Sequence, residues 1–215
     1  MKKIKFYGVR KGREPGMYFS WEDCKAQVNG FPNAEYKGFD TPEEAENYLA
    51  DIGLLSVEDL CLEDVLIAYT DGSYLDGKAG YGAVFVYNNK VIGKLCGQVE
   101  DPQSRNVSGE LMAVIAAVKS AAARECKELV ICHDLMGVQM WADGLWKCNK
   151  KESIEFEAFI RQKREAGMAI GFGWLHGHTG QTYNEMADEL AKDGAINGKK
   201  KAAGFPVEKG AFVPV

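Results

Sequence analysis

The fold is decided by the stretch Val65-Leu-Ile-Ala-Tyr-Thr-Asp71-Gly-Ser-Tyr74. Its apolar run is short and rich in strand-forming residues, so it predicts a buried β-strand that ends at Asp71. Gly72 then allows the backbone to turn tightly, or a ligand to approach closely. A half-buried carboxylate is costly unless it is paired or binds a metal ion. An aspartate that caps the following turn is the alternative for this position alone.

Three more acidic residues occupy comparable places downstream. Asp134 follows a predicted strand over 128–133, while Glu110 and Asp188 lie in the first turns of two predicted helices. Taken singly, such acids are explained by helix capping or by the helix dipole. Four carboxylates converging in one cleft would repel one another unless cations neutralised them. An all-oxygen ligand set favours Mg²⁺ or Mn²⁺ over Zn²⁺, and two such ions about 3.5–4 Å apart are typical of phosphoryl-transfer sites.

The helices that carry two of these acids have predicted boundaries. Apolar residues at helical spacing predict a helix over 107–124, with Ser108 as its N-cap. A second helix is predicted over 184–194, with Gly194 as its C-cap.

Residues 1–50 have a different pattern and predict a separate small module of short strands and two helices, with Ser20 and Thr41 as N-caps. Basic and aromatic residues are interleaved here: Lys2, Lys3, Lys5, Tyr7, Arg10, Lys11, Arg13, Trp21, Tyr36 and Lys37. This pattern suits phosphate contacts combined with packing on sugars or bases. The alternative is that the aromatic residues are the core of a very small domain, which we prefer for Phe6, Phe19 and Phe39. For Trp21 and Tyr36 both interpretations stay open.

Composition narrows the class of protein. The chain has 215 residues, 46% of them apolar, which is enough for one ordinary domain and a small one. The net charge of −5 means that a nucleic-acid surface must be a local patch. The six cysteines include no CxxC pair, no apolar segment follows the basic N-terminus, and no apolar run reaches membrane-spanning length. We therefore expect a reducing, cytoplasmic location and no membrane association.

The N-terminal runs Phe6-Tyr7-Gly-Val-Arg-Lys-Gly-Arg13, Gly16-Met-Tyr-Phe-Ser-Trp21 and Tyr36-Lys37-Gly-Phe39 resemble the hybrid-binding, or viroplasmin-like, domain of many type 1 ribonucleases H. The resemblance implies that Tyr36, Lys37 and the helix residue Trp21 bind an RNA/DNA hybrid, and we add Tyr7 to this set. Gly38 stands where the family often has a second lysine, which implies weaker binding.

The region 65–195 is similar to the catalytic domain of the same enzymes. The motifs are Tyr69-Thr-Asp71-Gly-Ser73, Asn106-Val-Ser-Gly-Glu110-Leu, Cys132-His-Asp134 and Gly177-His178-Thr-Gly180 with Asn184-Glu-Met-Ala-Asp188. The resemblance implies hydrolysis of RNA in RNA/DNA hybrids, leaving 5′-phosphate and 3′-hydroxyl ends. It assigns Asp71, Glu110, Asp134 and Asp188 to two Mg²⁺ ions, which Mn²⁺ can replace, and His178 to proton transfer and product release.

Substrate choice has a simple physical basis in this interpretation. A hybrid has a wide, shallow minor groove with 2′-hydroxyl groups on one strand only. Asn106, which the resemblance places in that groove, together with Ser73 and the backbone beside Gly72, would read these hydroxyls.

The complete prediction is an α/β protein with a hybrid-binding domain at 1–50, a linker at 51–64, a catalytic domain at 65–196 and a tail at 197–215. The catalytic domain is expected to contain a mixed five-stranded sheet flanked by helices. The interval between the third and fourth acids is short for the basic handle that several family members insert. An inactive hybrid-binding relative and an integrase-like nuclease are the alternatives, and we expect a monomer without an obligate protein partner.

Overall fold

The computed structural model describes residues 6–13, 15–50, 64–175, 182–198 and 201–203. The chain divides into two compact units, Met1–Leu54 with Asp143–Lys147, and Leu55–Ala142 with Cys148–Val215. Nearly all of the predicted linker lies outside the described residues. Within the described ranges, no helix is long and apolar enough to cross a membrane.

The first unit contains a three-stranded antiparallel sheet and two helices. Its elements are β1 (Phe6–Lys11), β2 (Gly16–Tyr18), α1 (Trp21–Val28), β3 (Glu35–Phe39) and α2 (Pro42–Ala50), with the strands in the order β2-β1-β3. The two predicted N-caps are confirmed: Ser20 Oγ accepts a hydrogen bond from the backbone of Asp23, and Thr41 Oγ1 accepts one from that of Glu44. The small core of this unit includes the cluster of Val9, Cys24 and Val28, and Ala45 and Leu49 of α2 are also fully buried.

The second unit is built on one mixed sheet. Its elements are β4 (Leu66–Leu75), β5 (Lys78–Tyr87), β6 (Lys90–Gln98), α3 (Asn106–Ala122), β7 (Glu128–His133), α4 (Met136–Ala142), α5 (Lys151–Glu165), β8 (Ala169–Trp174), α6 (Thr182–Asn197) and β9 (Lys201–Ala203). The strand order is β8-β7-β4-β5-β6-β9, in which β4, β7 and β8 are parallel and the other pairs are antiparallel. The predicted mixed five-stranded sheet with helices is confirmed, and β9, from the predicted tail, adds a short edge strand beside β6.

Strand β4 continues past Asp71, so the prediction that it ends there is wrong. Asp71 pairs with Gly82 and Gly72 with Tyr81 in the ladder between β4 and β5. The turn comes later, at Asp76 and Gly77, because both residues adopt the left-handed conformation that a tight hairpin requires. Asp71 is therefore held in the middle of a strand at the centre of the sheet.

Helix α6 continues to Asn197, so the prediction that Gly194 is its C-cap is also wrong. Gly194 is buried inside the helix, where a β carbon would lie 2.3 Å from the carbonyl oxygen of Gly97 on β6. A β carbon at Gly80 of β5 would likewise lie 2.1 Å from the carbonyl oxygen of Ala191. These glycines let α6 pack directly on the backbone of the sheet, which brings the helix carrying Asp188 close to β4 and β5.

Candidate active site

Asp71 and Glu110 come together where strand β4 meets the N-terminal end of α3. Both side chains are buried, and their carboxyl groups lie within hydrogen-bonding distance of each other. The backbone N–H of Gly72 also donates to these carboxyl groups. The approach of helix to strand depends on two glycines, Gly72 and Gly109, since a β carbon at either would collide with backbone atoms of the other element.

Asp134 completes a group of three carboxylates. It follows β7, next to β4 in the sheet, and one oxygen atom from each of Asp71, Glu110 and Asp134 lies within 4.8 Å of the others. The backbone of Asp134 is fixed from β8, because Trp174 Nε1 donates a hydrogen bond of 3.2 Å to its carbonyl oxygen. The predicted convergence of these three acids is thus present in the structure.

The carboxyl groups of Asp71 and Glu110 bind protons unusually tightly. Burial, followed by the charges of Asp134 and Asp188, raises the pKa of Asp71 to about 7. Burial also raises the pKa of Glu110 well above its ordinary value, and the charges of Asp134 and Asp71 act in the same direction. Glu110 Oε2 is buried and accepts no hydrogen bond within the described part of the chain. A buried anionic oxygen of this kind is a suitable ligand atom for a hard cation.

Asp188 lies outside the group of three but acts on it. Its carboxylate, on α6, forms an ion pair with Lys192 one turn further along the helix. Its charge nevertheless contributes to the raised pKa of Asp71, so it lies close enough to act on the cluster. Lys192 is held as a cation, since its hydrogen bond to Asp188, followed by the charge of Asp188, raises its pKa.

His133 is a site residue that the sequence interpretation missed. It is completely buried beside Asp134, and burial lowers its pKa to about 4, so the ring is neutral near pH 7. Nδ1 lies 3.0 Å from the carbonyl oxygen of Leu135, to which it donates. The ring also packs edge-on against Phe172. A polar residue at the end of an apolar strand, directly before a candidate ligand, was the signal that could have identified it.

Asn106 and Ser73 differ in their accessibility. Asn106 is the exposed first residue of α3, whereas Ser73 is only 8% exposed.

The prediction that Ser108 caps α3 is wrong: the N-cap position is Arg105, at φ 52°, and its side chain makes no capping hydrogen bond. Ser108 lies further into the helix, where its hydroxyl interacts with the preceding turn instead. His178 lies outside the described residues.

The first unit contains a row of three aromatic rings that are tilted with respect to one another. The ring centroids of Tyr7 and Trp21 are 5.6 Å apart, and those of Trp21 and Tyr36 are 5.9 Å apart. Trp21 is 39% exposed and Tyr36 is 44% exposed, so this row of rings is not merely a domain core. Phe19 is 64% exposed, and its predicted core position is therefore wrong. It follows the end of β2 and contacts Phe6 through a ring edge, outside the small core.

Two of the predicted basic contact residues have structural partners. Arg10 donates to the carbonyl oxygen of Tyr48 and stacks on its ring, with the guanidinium carbon 4.0 Å from the ring centroid. Arg13 donates to the carbonyl oxygens of Ala26 and Asn29 at the C-terminal end of α1. Lys37, beside Tyr36, is exposed, and its Nζ lies 5.3 Å from the centroid of the Phe39 ring.

Comparison with known proteins identifies the family. A family model described as "RNase H" matches residues 63–196, which is more than half of the chain, and one described as "Ribonuclease H1 N-terminal domain" matches residues 5–49. The chain belongs to the ribonuclease H family. Ribonucleases H depend on metal ions, and the cluster of Asp71, Glu110 and Asp134 offers ligands for them.

Individual relatives agree with this assignment. The chain is 28% identical to human "Ribonuclease H1", over 88% of this chain and 89% of that protein. It is 30% identical to "Ribonuclease H" of Escherichia coli O139:H28, over 65% of this chain and 95% of that protein. The crystal structure of LC11-RNase H1 in complex with an RNA/DNA hybrid has the same fold, with a TM-score of 0.54, 20% identity, and coverage of 61% of this chain and 97% of that one.

Proposed function

We propose that this ribonuclease H is an endonuclease that hydrolyses the RNA strand of RNA/DNA hybrids and leaves 5′-phosphate and 3′-hydroxyl ends. The observation that carries the proposal is the group of three carboxylates within 4.8 Å of one another at the centre of the sheet. It is supported by the family of both matched regions and by the curated relatives named ribonuclease H1.

The residues of the cluster fit a pair of Mg²⁺ ions, which Mn²⁺ can replace. All the ligand atoms are oxygens, one of them is buried without a hydrogen bond to the described residues, and the raised pKa values show that the cluster favours bound positive charge. When bound, such ions activate a water molecule and stabilise the leaving oxygen in phosphoryl transfer. Asp71, Glu110 and Asp134 would hold them, and Asp188 would complete the set from α6.

The protein groups around this site have separate tasks. Trp174 and His133 fix the backbone at Asp134 and Leu135, which keeps the third carboxylate in place. Lys192 balances the charge of Asp188. His178, by its position in the family motif, carries a proton during hydrolysis and assists product release. A positioned proton carrier of this kind accelerates a reaction by about 10²–10⁴-fold.

Asn106 would read the 2′-hydroxyl groups that distinguish RNA from DNA. It is exposed at the start of α3, and its carbonyl oxygen lies beside Gly72, next to Asp71. Ser73 has little exposed surface, so the recognition assigned to it from the sequence falls mainly on Asn106 and on the backbone near Gly72.

The N-terminal unit would bind the hybrid outside the catalytic site. Tyr7, Trp21 and Tyr36 would stack on bases or sugars, and Lys37 would contact phosphate. We further propose a monomer without an obligate partner, in a reducing compartment such as the cytoplasm. None of the five described cysteines forms a disulfide bond, in keeping with such a compartment.

The decisive experiment is a cleavage assay on three end-labelled duplexes: an RNA/DNA hybrid, duplex DNA and duplex RNA, each with Mg²⁺ and with EDTA. We expect Mg²⁺-dependent cleavage of the hybrid alone, with internal RNA products that a polymerase can extend from their 3′ ends. Binding of the hybrid without cleavage would identify an inactive binding protein, and cleavage of duplex DNA would indicate an integrase-like nuclease.

A further inference from the structure

Glu152 connects helix α5 to the turn that precedes α3. It lies in the first turn of α5, and its Oε1 accepts hydrogen bonds from the backbone N–H of Gln103, at 2.9 Å, and from the hydroxyl group of Ser108, at 2.5 Å. Hydrogen bonds to an ionised carboxylate are stronger than those between neutral groups. The motifs of the catalytic region assign no role to this residue.

Ser108 extends the connection into the turn itself. While its hydroxyl group donates to Glu152, its oxygen accepts a hydrogen bond of 2.9 Å from the backbone N–H of Ser104. The carbonyl oxygen of Ser104 in turn accepts from the backbone N–H of Val107, at 3.1 Å. The turn is therefore fixed from α5 at both of its ends.

This turn needs such support because its own conformation is unfavourable. Arg105, at the N-cap position of α3, has a φ of 52°, and its side chain makes no capping hydrogen bond. A non-glycine residue in the left-handed region is strained and persists only where its surroundings determine the conformation. Asn106 follows directly, so its orientation depends on the same geometry.

We propose that Glu152 is a positioning residue that orients Asn106 for recognition of 2′-hydroxyl groups. This inference rests on the proposed function of Asn106. Glu152 contacts the turn through Gln103 and Ser108 and acts only through them. Its loss removes two of the hydrogen bonds that hold the turn, leaving that from Lys150 Nζ to Ser104 Oγ. The carboxylate cluster stays assembled, because α3 remains packed on β4 through the contact between Gly72 and Gly109.

The test measures discrimination between ribose and deoxyribose by the full-length protein with Mg²⁺. In a series of hybrids, a single 2′-deoxyribonucleotide replaces one ribonucleotide at successive positions of the RNA strand. The discrimination ratio at each position is kcat/KM of the all-ribose hybrid divided by kcat/KM of the substituted hybrid. We expect Asn106→Ala to lower the largest ratio by about 3- to 10-fold, the value of one neutral hydrogen bond. Glu152→Ala should lower the same ratio comparably, with KM rising more than kcat falls.

Two further variants separate positioning from a general structural effect. Glu155→Ala is the matched control, because it removes the same charge from the next turn of α5, where Glu155 is exposed and paired with Lys151. It should leave the ratio unchanged. Glu152→Gln keeps an oxygen acceptor for both donors and should restore most of the discrimination lost in Glu152→Ala.

A double variant tests whether Glu152 acts through Asn106. Adding Asn106→Ala to Glu152→Ala should have little further effect on the ratio, since the recognition is already lost.

If Glu152→Ala lowers the thermal midpoint but leaves the ratio intact, its role is structural and the inference is overturned. If Glu152→Ala fails to fold, Ser108→Ala removes one of the same hydrogen bonds, and an unchanged ratio there also overturns it. If Asn106→Ala itself has no effect on the ratio, the function proposed for Asn106 fails instead.

Discussion

Gly72 and Glu110 are in direct backbone contact: a β carbon on Gly72 would lie 2.2 Å from the backbone nitrogen of Glu110. Gly72 directly follows Asp71 in β4, and Glu110 lies near the start of α3. The missing side chain at Gly72 therefore sets the separation between the first two carboxylates of the site. It also leaves the N–H of Gly72 facing both of them.

Gly72→Ala should separate α3 from β4 and strongly reduce both hybrid cleavage and stability. The added methyl group meets backbone atoms, which cannot rotate away as a flexible side chain can. Overpacking of this kind costs about 1–3 kcal/mol in free energy of unfolding. Gly171→Ala in β8 is the matched control, because the nearest atom there is a side-chain carbon of Val130 at 3.5 Å. Equal thermal midpoints and rates for the two variants would contradict the close contact.

Asp71→Asn should abolish most cleavage while it preserves the fold. The substitution leaves the shape of the side chain nearly unchanged and removes a charge that a bound cation requires, at an expected loss of at least about 10²–10³-fold in rate. It also removes like-charge repulsion inside a buried cluster, so the metal-free variant should melt at a higher temperature than the wild type. Rates come from hybrid cleavage with Mg²⁺ and melting temperatures from samples in EDTA. Wild-type cleavage by the variant would exclude Asp71 from the site.

Asp71 and Glu110 should make the metal-free protein less stable as the pH rises from about 4 to about 7. The pKa of Asp71 is about 7 in the folded protein, above the value of about 4 in an unfolded chain, so the folded state holds more protons in this interval. The stabilising contribution of Asp71 is complete at pH values below its pKa in the unfolded chain. It is lost as the pH rises through its pKa in the folded protein. The raised pKa of Glu110 acts in the same direction. The lowered pKa of His133 acts in the opposite direction, so the effect of the carboxyl groups is read as a difference from a variant that keeps His133.

The pH prediction is checked by melting the protein in EDTA between about pH 4 and pH 8. The control is the double variant Asp71→Asn with Glu110→Gln, which removes both groups and should show a smaller decline. Mg²⁺ added at the upper end should raise the midpoint of the wild type more than that of the variant. Parallel curves for the two proteins would argue against a buried carboxylate pair.

Trp21 and Lys37 should contribute to hybrid binding in distinguishable ways. Stacking on an aromatic ring is worth about 1–3 kcal/mol per base, so Trp21→Ala should weaken binding by at least about 5-fold with an unchanged salt dependence. Lys37→Ala should reduce the slope of log K against log salt by about 1, because one fewer counterion is released. Binding is measured at several salt concentrations in the Asp71→Asn background. Wild-type affinity in both variants would exclude Trp21 and Lys37 from the hybrid-binding surface.

His178→Ala should slow hybrid cleavage without abolishing it. A residue that carries a proton contributes about 10²–10⁴-fold, while the carboxylates and their cations still provide the main chemistry. Single-turnover rates across a range of pH values measure the effect, and exogenous imidazole should restore part of the rate. A variant as inactive as Asp71→Asn would make His178 a ligand or a structural residue, and an unchanged rate would remove it from the mechanism.

The sequence was sufficient where a pattern has one physical outcome. Apolar runs of strand length predicted the central strands, and the helix caps Ser20 and Thr41 were predicted correctly, while the resemblance to type 1 ribonucleases H implied the mixed sheet and the meeting of Asp71, Glu110 and Asp134. Prediction from the sequence failed where one local pattern is compatible with two structures of similar energy. A glycine after an apolar run marks either a strand end or a close contact, and a serine near a helix start is either a cap or a partner for a distant group.

Only the tertiary structure decided between such outcomes, because the deciding atoms are far apart in the chain. Gly72 is inside a strand because α3 packs against it, Gly194 is inside a helix because β6 packs against it, and Ser108 is bound by Glu152 from another helix. The raised pKa of Asp71 and the buried, neutral His133 likewise arise from burial and from neighbouring charges. The sequence by itself determined which residues can do the chemistry, and the packing of helices on the sheet determined their separations, charges and supports.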